Sequence, residues 1–270
     1  MILFAAILWF FHGFGANELS AIDYWRLKRS FLADKVISVK WCASDSTWSD
    51  AVTNAEKASR AIVAEVQSMR PELRKNLILV GHSLGGRVLA HSLAKLGRLG
   101  TPVKTAVLLA PAISVGDKEA EKMDAGCSSL IIVAAENDYV LGFLYPLVAG
   151  EYAETNVTGF CTKEGRCIKY EVPDWFANRY NDVAPSHNVS VHIEYLELAR
   201  SGVPISSRPE NPRLFVDLDR CRLVNELAAD SNIKGASADA FKRRMELENL
   251  NRQLNEMATE LNKQLNGTWR

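Results

Sequence analysis

The pattern of apolar and polar positions divides the chain into alternating strands and helices as far as about residue 202. The central strand segments are apolar at consecutive positions, which indicates that both faces of their sheet are covered. The predicted strands are residues 2–11, 35–41, 76–81, 104–110, 129–135 and 167–172. Strands that alternate with helices form βαβ units around a parallel sheet.

Amphipathic segments fill the gaps between these strands. One helix is predicted from a cap at Ser20 to Leu32, and a second runs over 49–69, ending where Arg70 precedes a proline. A third follows Ser83 and stops at Gly97, and a fourth covers 190–200. We therefore predict an α/β fold: a three-layer α/β/α sandwich with a mostly parallel sheet.

The apolar run that begins at Met1 has three interpretations: a signal peptide, a membrane span and a buried strand. A signal peptide would have a basic segment before the run and a small-residue cleavage site after it, and neither is present. Glu18 ends the uncharged stretch before a membrane span of about 20 residues is complete. A buried parallel strand has this continuous apolar character, so we favour the strand.

Beyond Ser201 the character of the chain changes. Three prolines mark a linker, and residues 239–265 are strongly helical in composition. Apolar residues there repeat at spacings of three and four: Leu247, Leu250, Leu254, Met257 and Leu261. This pattern fits a solvated helix on the domain surface and a short coiled coil equally well, and the coiled coil predicts self-association. We divide the chain into a domain at 1–203 and a linker with a helical extension at 204–270.

Charge and cysteine content exclude several classes of function. The 32 basic and 32 acidic residues balance, which removes any global electrostatic case for nucleic acid or an anionic membrane. The five cysteines form no CxxC pair, and none lies at zinc-ligand spacing from a histidine. Their odd, scattered number favours reduced thiols. We expect a cytoplasmic protein, with peripheral membrane association as the alternative.

The segment Gly81-His82-Ser83-Leu84-Gly85 carries the clearest chemical signal. It connects a run of branched apolar residues directly to an amphipathic helix. A serine hydroxyl is a poor nucleophile, so it must be exposed beside a base and near donors for an oxyanion. A sharp strand-to-helix turn gives it that position, and the small residues relieve the crowding. We predict that Ser83 is a catalytic nucleophile.

A second glycine-containing loop, His12-Gly13-Phe14-Gly15, follows the first strand. Such a loop can turn its amides toward a reacting carbonyl, so the N–H groups of Phe14 and Leu84 are the candidate oxyanion donors. His12 precedes the nucleophile in the chain, and we expect it to hold the loop through a hydrogen bond rather than to act as a base.

Together these two motifs and their strand contexts resemble the esterase and lipase branch of the α/β-hydrolase superfamily. The resemblance covers the first 200 or so residues and implies the order oxyanion loop, nucleophile, acid, histidine. It places the acid just after a later strand, at Asp138, with Glu136 as the substitute. For the base it leaves two candidates. We favour His187, which lies in a loop, over His192, although hydrolases of this kind can show a His-x-x-aromatic pattern such as the one that begins at His192.

Two further segments have open interpretations. Trp41 and Trp48 bracket a polar loop after the second strand. They either line a substrate entrance or pack the sheet edge, and we favour packing at the sheet edge. Residues 140–152 are apolar and aromatic, which suits a small lid, the wall of an acyl pocket or a helix covering the sheet.

The predicted activity is hydrolysis of a carboxylic ester or thioester, with a small acyl ester or a lipid as substrate and through an acyl-enzyme on Ser83. Neither a metal nor an organic cofactor is implied. One alternative is a membrane-acting lipase or phospholipase in which the region of Phe143 inserts into lipid. The other is a catalytically idle hydrolase fold that serves as an interaction protein through its C-terminal helices.

Overall fold

The computed structural model describes residues 6–202, apart from 17–18, 44–46, 136, 150–152, 154–159, 161–166 and 181–183. All of the described residues fall within one compact unit, Met1–Arg208. The helical extension at 204–270, with its candidate coiled coil, lies outside the described residues. The division of the chain at residue 203 therefore stays a prediction.

Six parallel strands form the central sheet, in the order β2-β1-β3-β4-β5-β6. Their carboxyl ends consequently meet at one edge, where the loops carrying the candidate site begin. The strands are β1 Ile7–Phe11, β2 Lys35–Val39, β3 Leu77–His82, β4 Val103–Leu109, β5 Cys127–Ala135 and β6 Cys167–Val172. Each lies within the matching apolar segment of the sequence or differs from it by one or two residues.

Seven α-helices connect or follow the strands in the described part of the chain. They are α1 Ala21–Phe31, α2 Trp48–Ser68, α3 Pro71–Arg74, α4 Leu84–Arg98, α5 Tyr145–Ala149, α6 Asp174–Ala177 and α7 Val189–Ser201. Side-chain caps begin α1 and α7: Ser20 Oγ accepts the amide of Asp23, and Asn188 Oδ1 accepts the amide of Ser190. Such caps satisfy amides that no helical carbonyl can reach.

Two apolar cores lie on opposite faces of the sheet. In β3, Leu77 and Leu79 face the core that contains α2 and α4, whereas Ile78 and Val80 face the core that contains α1, α6 and α7. Side chains alternate between the faces of a strand, so a strand buried on both sides must be apolar throughout. The predicted three-layer α/β/α sandwich is confirmed, and all six strands are parallel.

Two expectations remain: a strand in the N-terminal apolar run, and reduced thiols at the cysteines. Ile7–Phe11 is a strand paired on both sides, and residues 1–5 lie outside the described residues. Cys42 and Cys127 are free thiols, but Cys167 is disulfide-bonded to a partner outside the described residues, so the expectation of reduced thiols holds only in part. Within the described ranges, no helix combines the length and apolar character needed to cross a membrane.

Candidate active site

Ser83 lies in the turn between β3 and α4, at the carboxyl edge of the sheet. Its backbone has φ 53° and ψ −121°, a conformation that a residue with a side chain rarely adopts. The turn is held by hydrogen bonds on both sides of the residue: the Ser83 amide donates to the carbonyl of Leu109 at 2.9 Å, and its carbonyl accepts the amide of Ala112 at 3.0 Å. The surrounding structure therefore fixes the strained conformation of the predicted nucleophile.

Close backbone contacts explain the two glycines that flank this turn. A Cβ atom at Gly81 would lie 2.4 Å from the carbonyl oxygen of Gly85, and one at Gly85 would lie 2.2 Å from that of Phe11. These distances are far below van der Waals contact, so neither position accepts a larger residue. The glycines let α4 start directly against the ends of β1 and β3, with Ser83 as its N-cap residue.

Ser83, His187 and Asp138 form one continuous hydrogen-bonded chain. His187 Nε2 is 2.9 Å from Ser83 Oγ, and His187 Nδ1 is 2.7 Å from Asp138 Oδ2. A carboxylate can only accept, so Nδ1 carries the proton and Nε2 accepts from the serine hydroxyl. Ser83 is 7 % exposed and Asp138 is 8 % exposed, so these two hydrogen bonds are shielded from bulk water.

Asp138 is oriented by the segment that follows it. Its Oδ1 accepts the amide of Leu141 at 3.0 Å, and its backbone carbonyl accepts the amide of Gly142 at 2.8 Å. The carboxylate thus caps the helical turn Val140–Leu144 with one oxygen and binds His187 with the other. Glu136, the substitute acid, lies outside the described residues.

His192, the other candidate base, is fully buried in the first turns of α7. Its Nδ1 donates to the carbonyl of Asn188 at 2.9 Å, and its Nε2 has no partner among the described residues. Burial lowers the pKa of His192 to about 4, so the ring is neutral near pH 7. The structure brings His187, and not His192, to the serine.

The loop at 12–15 lies against the nucleophile. A Cβ atom at Gly13 would lie 2.8 Å from Ser83 Cβ, so only glycine allows this approach. His12 Nδ1 is 3.0 Å from the carbonyl of its neighbour Gly13, which is the holding contact expected for it. Neither the Phe14 amide nor the Leu84 amide donates to another described residue, and both stay candidate oxyanion donors.

Trp41 binds the loop at 12–15, a role that the sequence did not reveal. Its indole N–H donates to the carbonyl of His12 at 3.2 Å, and its ring stacks on the His12 ring at 5.5 Å between centroids. Trp48 has a different place: its ring makes edge contacts with Phe14 and Tyr145, at 5.5 and 5.4 Å. The second tryptophan therefore joins the loop at 12–15 to the helical segment that follows Asp138.

A buried polar network beside the turn was also missed from sequence. Arg87, one turn into α4, donates through Nη1 to Ser114 Oγ at 2.8 Å and to Tyr145 Oη at 3.1 Å. Asp117 lies 3.5 Å from the same guanidinium and 2.9 Å from His91 Nε2. Burial raises the pKa of Asp117, but His91 and Arg87 outweigh that effect and the net shift is downward. The network ties α4 to the segments after β4 and β5.

His82, the residue before the nucleophile, makes a contact that no sequence pattern signals. Its Nε2 is 2.8 Å from the backbone carbonyl of His187, 105 positions away along the chain. Burial, together with the neighbouring rings of His187 and His192, holds the pKa of His82 well below its ordinary value. His82 thus links the strand that carries the nucleophile to the turn that carries the candidate base.

Comparison with known proteins gives a family without an assigned activity. A family described as "Protein of unknown function (DUF726)" matches residues 35–200, more than half of the chain. A curated relative from Caenorhabditis elegans, called "Uncharacterized membrane protein F35D11.3", is 27 % identical over 207 residues. That match covers 71 % of this chain and 31 % of the relative, so the chain spans about a third of the relative's length.

Solved structures with a similar fold are esterases by name. An esterase from Pyrobaculum calidifontis is 17 % identical, with a TM-score of 0.40 over 73 % of this chain and 75 % of that one. Esterase PE8 is 14 % identical, with a TM-score of 0.47 over 73 % and 90 % of the two chains. Similarities of this size carry no argument about the activity of this chain.

Proposed function

The chain belongs to the DUF726 family, and we propose that it is a serine hydrolase that cleaves a carboxylic ester or thioester through an acyl-enzyme on Ser83. One observation carries the proposal: the unbroken hydrogen-bonded chain from Ser83 Oγ through His187 to Asp138. A hydroxyl, an imidazole and a buried carboxylate in this order make up a nucleophile, its base and the group that orients the base.

The first half of the reaction forms the acyl-enzyme. His187 Nε2 takes the hydroxyl proton as Ser83 Oγ bonds to the substrate carbonyl carbon, and the carbonyl oxygen becomes an oxyanion. The amides of Phe14 and Leu84 donate to that oxygen, and one such donor is typically worth about 3 kcal/mol in the transition state. The imidazolium then gives its proton to the departing alcohol or thiol as the carbon–oxygen or carbon–sulfur bond breaks.

The second half regenerates the enzyme. His187 takes a proton from water as the water oxygen attacks the acyl carbon, and it returns the proton to Ser83 Oγ as the ester bond to serine breaks. Asp138 keeps its negative charge throughout and stabilises the imidazolium in both halves. The product is a carboxylic acid, and every group required comes from this chain.

A lipid is the second candidate substrate, and exposed aromatic residues near the site favour it. Phe14 is 44 % exposed in the loop at 12–15, and Tyr139 is 52 % exposed immediately after Asp138. Exposed aromatic rings at the mouth of a site suit contact with a membrane surface. Hydrolysis of a phospholipid or acylglycerol in vesicles, at a rate well above that of a soluble nitrophenyl ester, would select the lipase over the soluble esterase.

The decisive experiment is covalent labelling with a fluorophosphonate probe, which reacts with activated serines. We expect one label on each folded chain, located at Ser83 by peptide mapping, with none on Ser83→Ala or on heat-unfolded protein. A nitrophenyl ester series of increasing acyl length then defines the substrate range. Folded wild-type protein that takes up no label would contradict the proposal and favour the idle fold that acts as an interaction protein.

A further inference from the structure

The side chain of His82 has no part in the reaction described above, yet it contacts the segments that form the site. It is the last residue of β3, directly before the nucleophile. Its ring centroid lies 5.0 Å from that of His187 and 6.2 Å from that of His192. On the opposite side, a Cβ atom at Gly13 would lie 3.2 Å from His82 Nδ1. His82 therefore lies between the turn of the candidate base, α7 and the oxyanion loop.

The contact with His187 fixes the protonation of His82. A backbone carbonyl can only accept a hydrogen bond, so His82 Nε2 must carry the proton that it donates to the oxygen 2.8 Å away. The titratable groups next to the ring are His187 and His192, and burial together with these two keeps the His82 pKa far below 6.5. His82 is thus a neutral donor near pH 7.

Other hydrogen bonds of the described residues also hold the turn that carries His187. Within it, the His187 amide donates to the carbonyl of Ala184 at 3.0 Å, and the Asn188 amide donates to that of Pro185 at 3.2 Å. From outside it, the Tyr139 amide donates to Ser186 Oγ at 3.4 Å. The bond from His82, at 2.8 Å, is shorter than each of these, and it joins the peptide of the proposed base to the residue next to Ser83.

We propose that His82 is a positioning residue, which holds the backbone of His187 through its Nε2–H so that the imidazole stays in line with Ser83 Oγ. This inference rests on the proposed function, because it assigns His187 as the base. Catalysis by a base depends steeply on geometry, and a displacement of 1 Å can cost about 10²-fold in rate. A neutral ring at this place also puts no second positive charge beside the imidazolium of His187.

A matched pair of amide variants isolates the donor. In His82→Gln the side-chain amide nitrogen reaches the place of the imidazole Nε2, whereas in His82→Asn it reaches only the place of Nδ1. Both variants are polar and uncharged, so only the reach of the donor differs. His82→Leu, which has similar bulk and no donor, completes the set.

We expect His82→Asn and His82→Leu to lower kcat on a nitrophenyl ester, and the rate of fluorophosphonate labelling, by about 10- to 100-fold. KM should change by less than about threefold, because positioning of the base acts on the chemical step and not on substrate binding. His82→Gln should stay within about threefold of wild type in both rates. Thermal unfolding of each variant, with rates corrected for the folded fraction, separates this effect from a loss of structure.

The outcomes separate the two proposals. Wild-type labelling with equal rates for the Asn and Gln variants would overturn the positioning role and leave the proposed function intact. A loss that appears in KM, or that follows the folded fraction of the variants, would likewise overturn the positioning role and leave the proposed function intact. Absence of wild-type labelling would overturn both proposals.

A measurement on the wild-type protein decides the matter even if the Asn and Leu variants do not fold. Nitrogen-15 NMR of the histidine side chains should show His82 as a neutral Nε2–H ring from pH 7.5 to 5.5. A His82 ring that titrates near 6.5, or that carries its proton on Nδ1, would contradict the proposal.

Discussion

Two buried polar clusters show how differently one chain uses ionisable groups. The first is the candidate triad, Ser83, His187 and Asp138. The second, here called the ion-pair cluster, joins α1 to α7. It consists of Arg26, Arg179, Tyr180 and Glu194.

In the ion-pair cluster each carboxylate oxygen of Glu194 has a donor. Oε2 accepts from Arg26 at 2.7 Å and from the Tyr180 hydroxyl, and Oε1 accepts from Arg179 at 3.1 Å. Burial and the charge of Glu194 raise the pKa of Tyr180. Burial lowers the pKa of Arg26, but Glu194, Tyr180 and Asp23 together outweigh it and the net shift is upward. No hydrogen bond or ion pair of the described residues joins this cluster to Ser83, so we expect it to act on stability.

The candidate triad differs because its hydrogen bonds end at a hydroxyl group. Asp138 and His187 bind each other, and the last member is Ser83, whose backbone is strained. The comparison teaches that burial alone does not mark an active site. A closed network holds helices together, whereas a network that ends at a hydroxyl beside a histidine is the arrangement on which the proposed hydrolysis depends.

The largest effect expected is on catalysis, from removal of the base. His187→Ala should reduce kcat on the order of 10⁵- to 10⁶-fold, because the serine then has no group to take its proton. His192→Gln, at the other candidate histidine, should stay within about tenfold of wild type, because its ring does not reach Ser83. Steady-state kinetics on a nitrophenyl ester gives both values. Equal losses of kcat in His187→Ala and His192→Gln would contradict the assignment of His187 as the base.

The next largest effect concerns stability, from the ion-pair cluster. Glu194→Gln removes the negative charge that faces Arg26 and Arg179, although Arg26 keeps Glu197 at 3.5 Å. We therefore expect a loss of about 3 kcal/mol in the free energy of unfolding, the low end of the cost of breaking a buried ion pair. Activity per folded molecule should persist, since the cluster has no contact with Ser83. Glu119→Gln, in a more exposed pair with Lys95, is the control and should cost less than about 1 kcal/mol. Urea unfolding measures the free energy of unfolding of both variants. Similar losses in Glu194→Gln and Glu119→Gln would contradict the larger contribution expected from the ion-pair cluster.

A third effect is acid destabilisation through His192. Its folded-state pKa of about 4 is below the ordinary 6.5, so the unfolded chain takes up the proton first as pH falls. The stability this contributes is complete above pH 6.5 and is lost toward pH 4, by about 3 kcal/mol in all. His82 acts in the same direction.

His192→Leu should flatten this pH dependence by most of that amount. The carbonyl of Asn188, which the ring leaves, still accepts the amide of Val191, so no acceptor is orphaned. Urea unfolding at pH 7 and pH 4.5 provides the comparison. An unchanged slope in the variant would show that the acid sensitivity arises elsewhere.

The smallest effect expected is on the loop that carries the Phe14 amide. Trp41→Phe keeps the ring that stacks on His12 but removes the N–H that binds its carbonyl. One such bond is worth about 1 kcal/mol, so kcat should fall by about fivefold with little change in the melting temperature. Trp25→Phe, on α1, is a control with an unchanged kcat. Equal kcat values for Trp41→Phe and Trp25→Phe would show that the hydrogen bond from Trp41 to the loop does not affect catalysis.

Most of the fold was predictable because its signals are local. The alternation of strands and helices, the two-sided burial of β3 and the caps at Ser20 and Asn188 depend on spacings of a few residues, which the sequence displays directly. The helical segment after Asp138 was left undecided between a lid, a pocket wall and a covering helix. An apolar run alone does not state which partners it will meet.

The candidate site could be predicted only in part. Ser83, the loop at 12–15 and Asp138 were named from motifs at strand ends, and the structure places them together. Trp41, His82 and Arg87 were missed in these roles, because each acts through a backbone or side-chain contact with a distant segment. Nothing in their immediate sequence distinguishes these contacts from ordinary burial.

By itself, the sequence determined the α/β architecture and the identity of the predicted nucleophile. Only the tertiary structure shows which of His187 and His192 lies beside Ser83. The two histidines are five positions apart, but one ends a turn that reaches Ser83 and the other faces inward from a helix. Local periodicity fixes which face of an element is buried. A hydrogen bond across 104 positions depends on how two distant elements meet, and no local pattern encodes it.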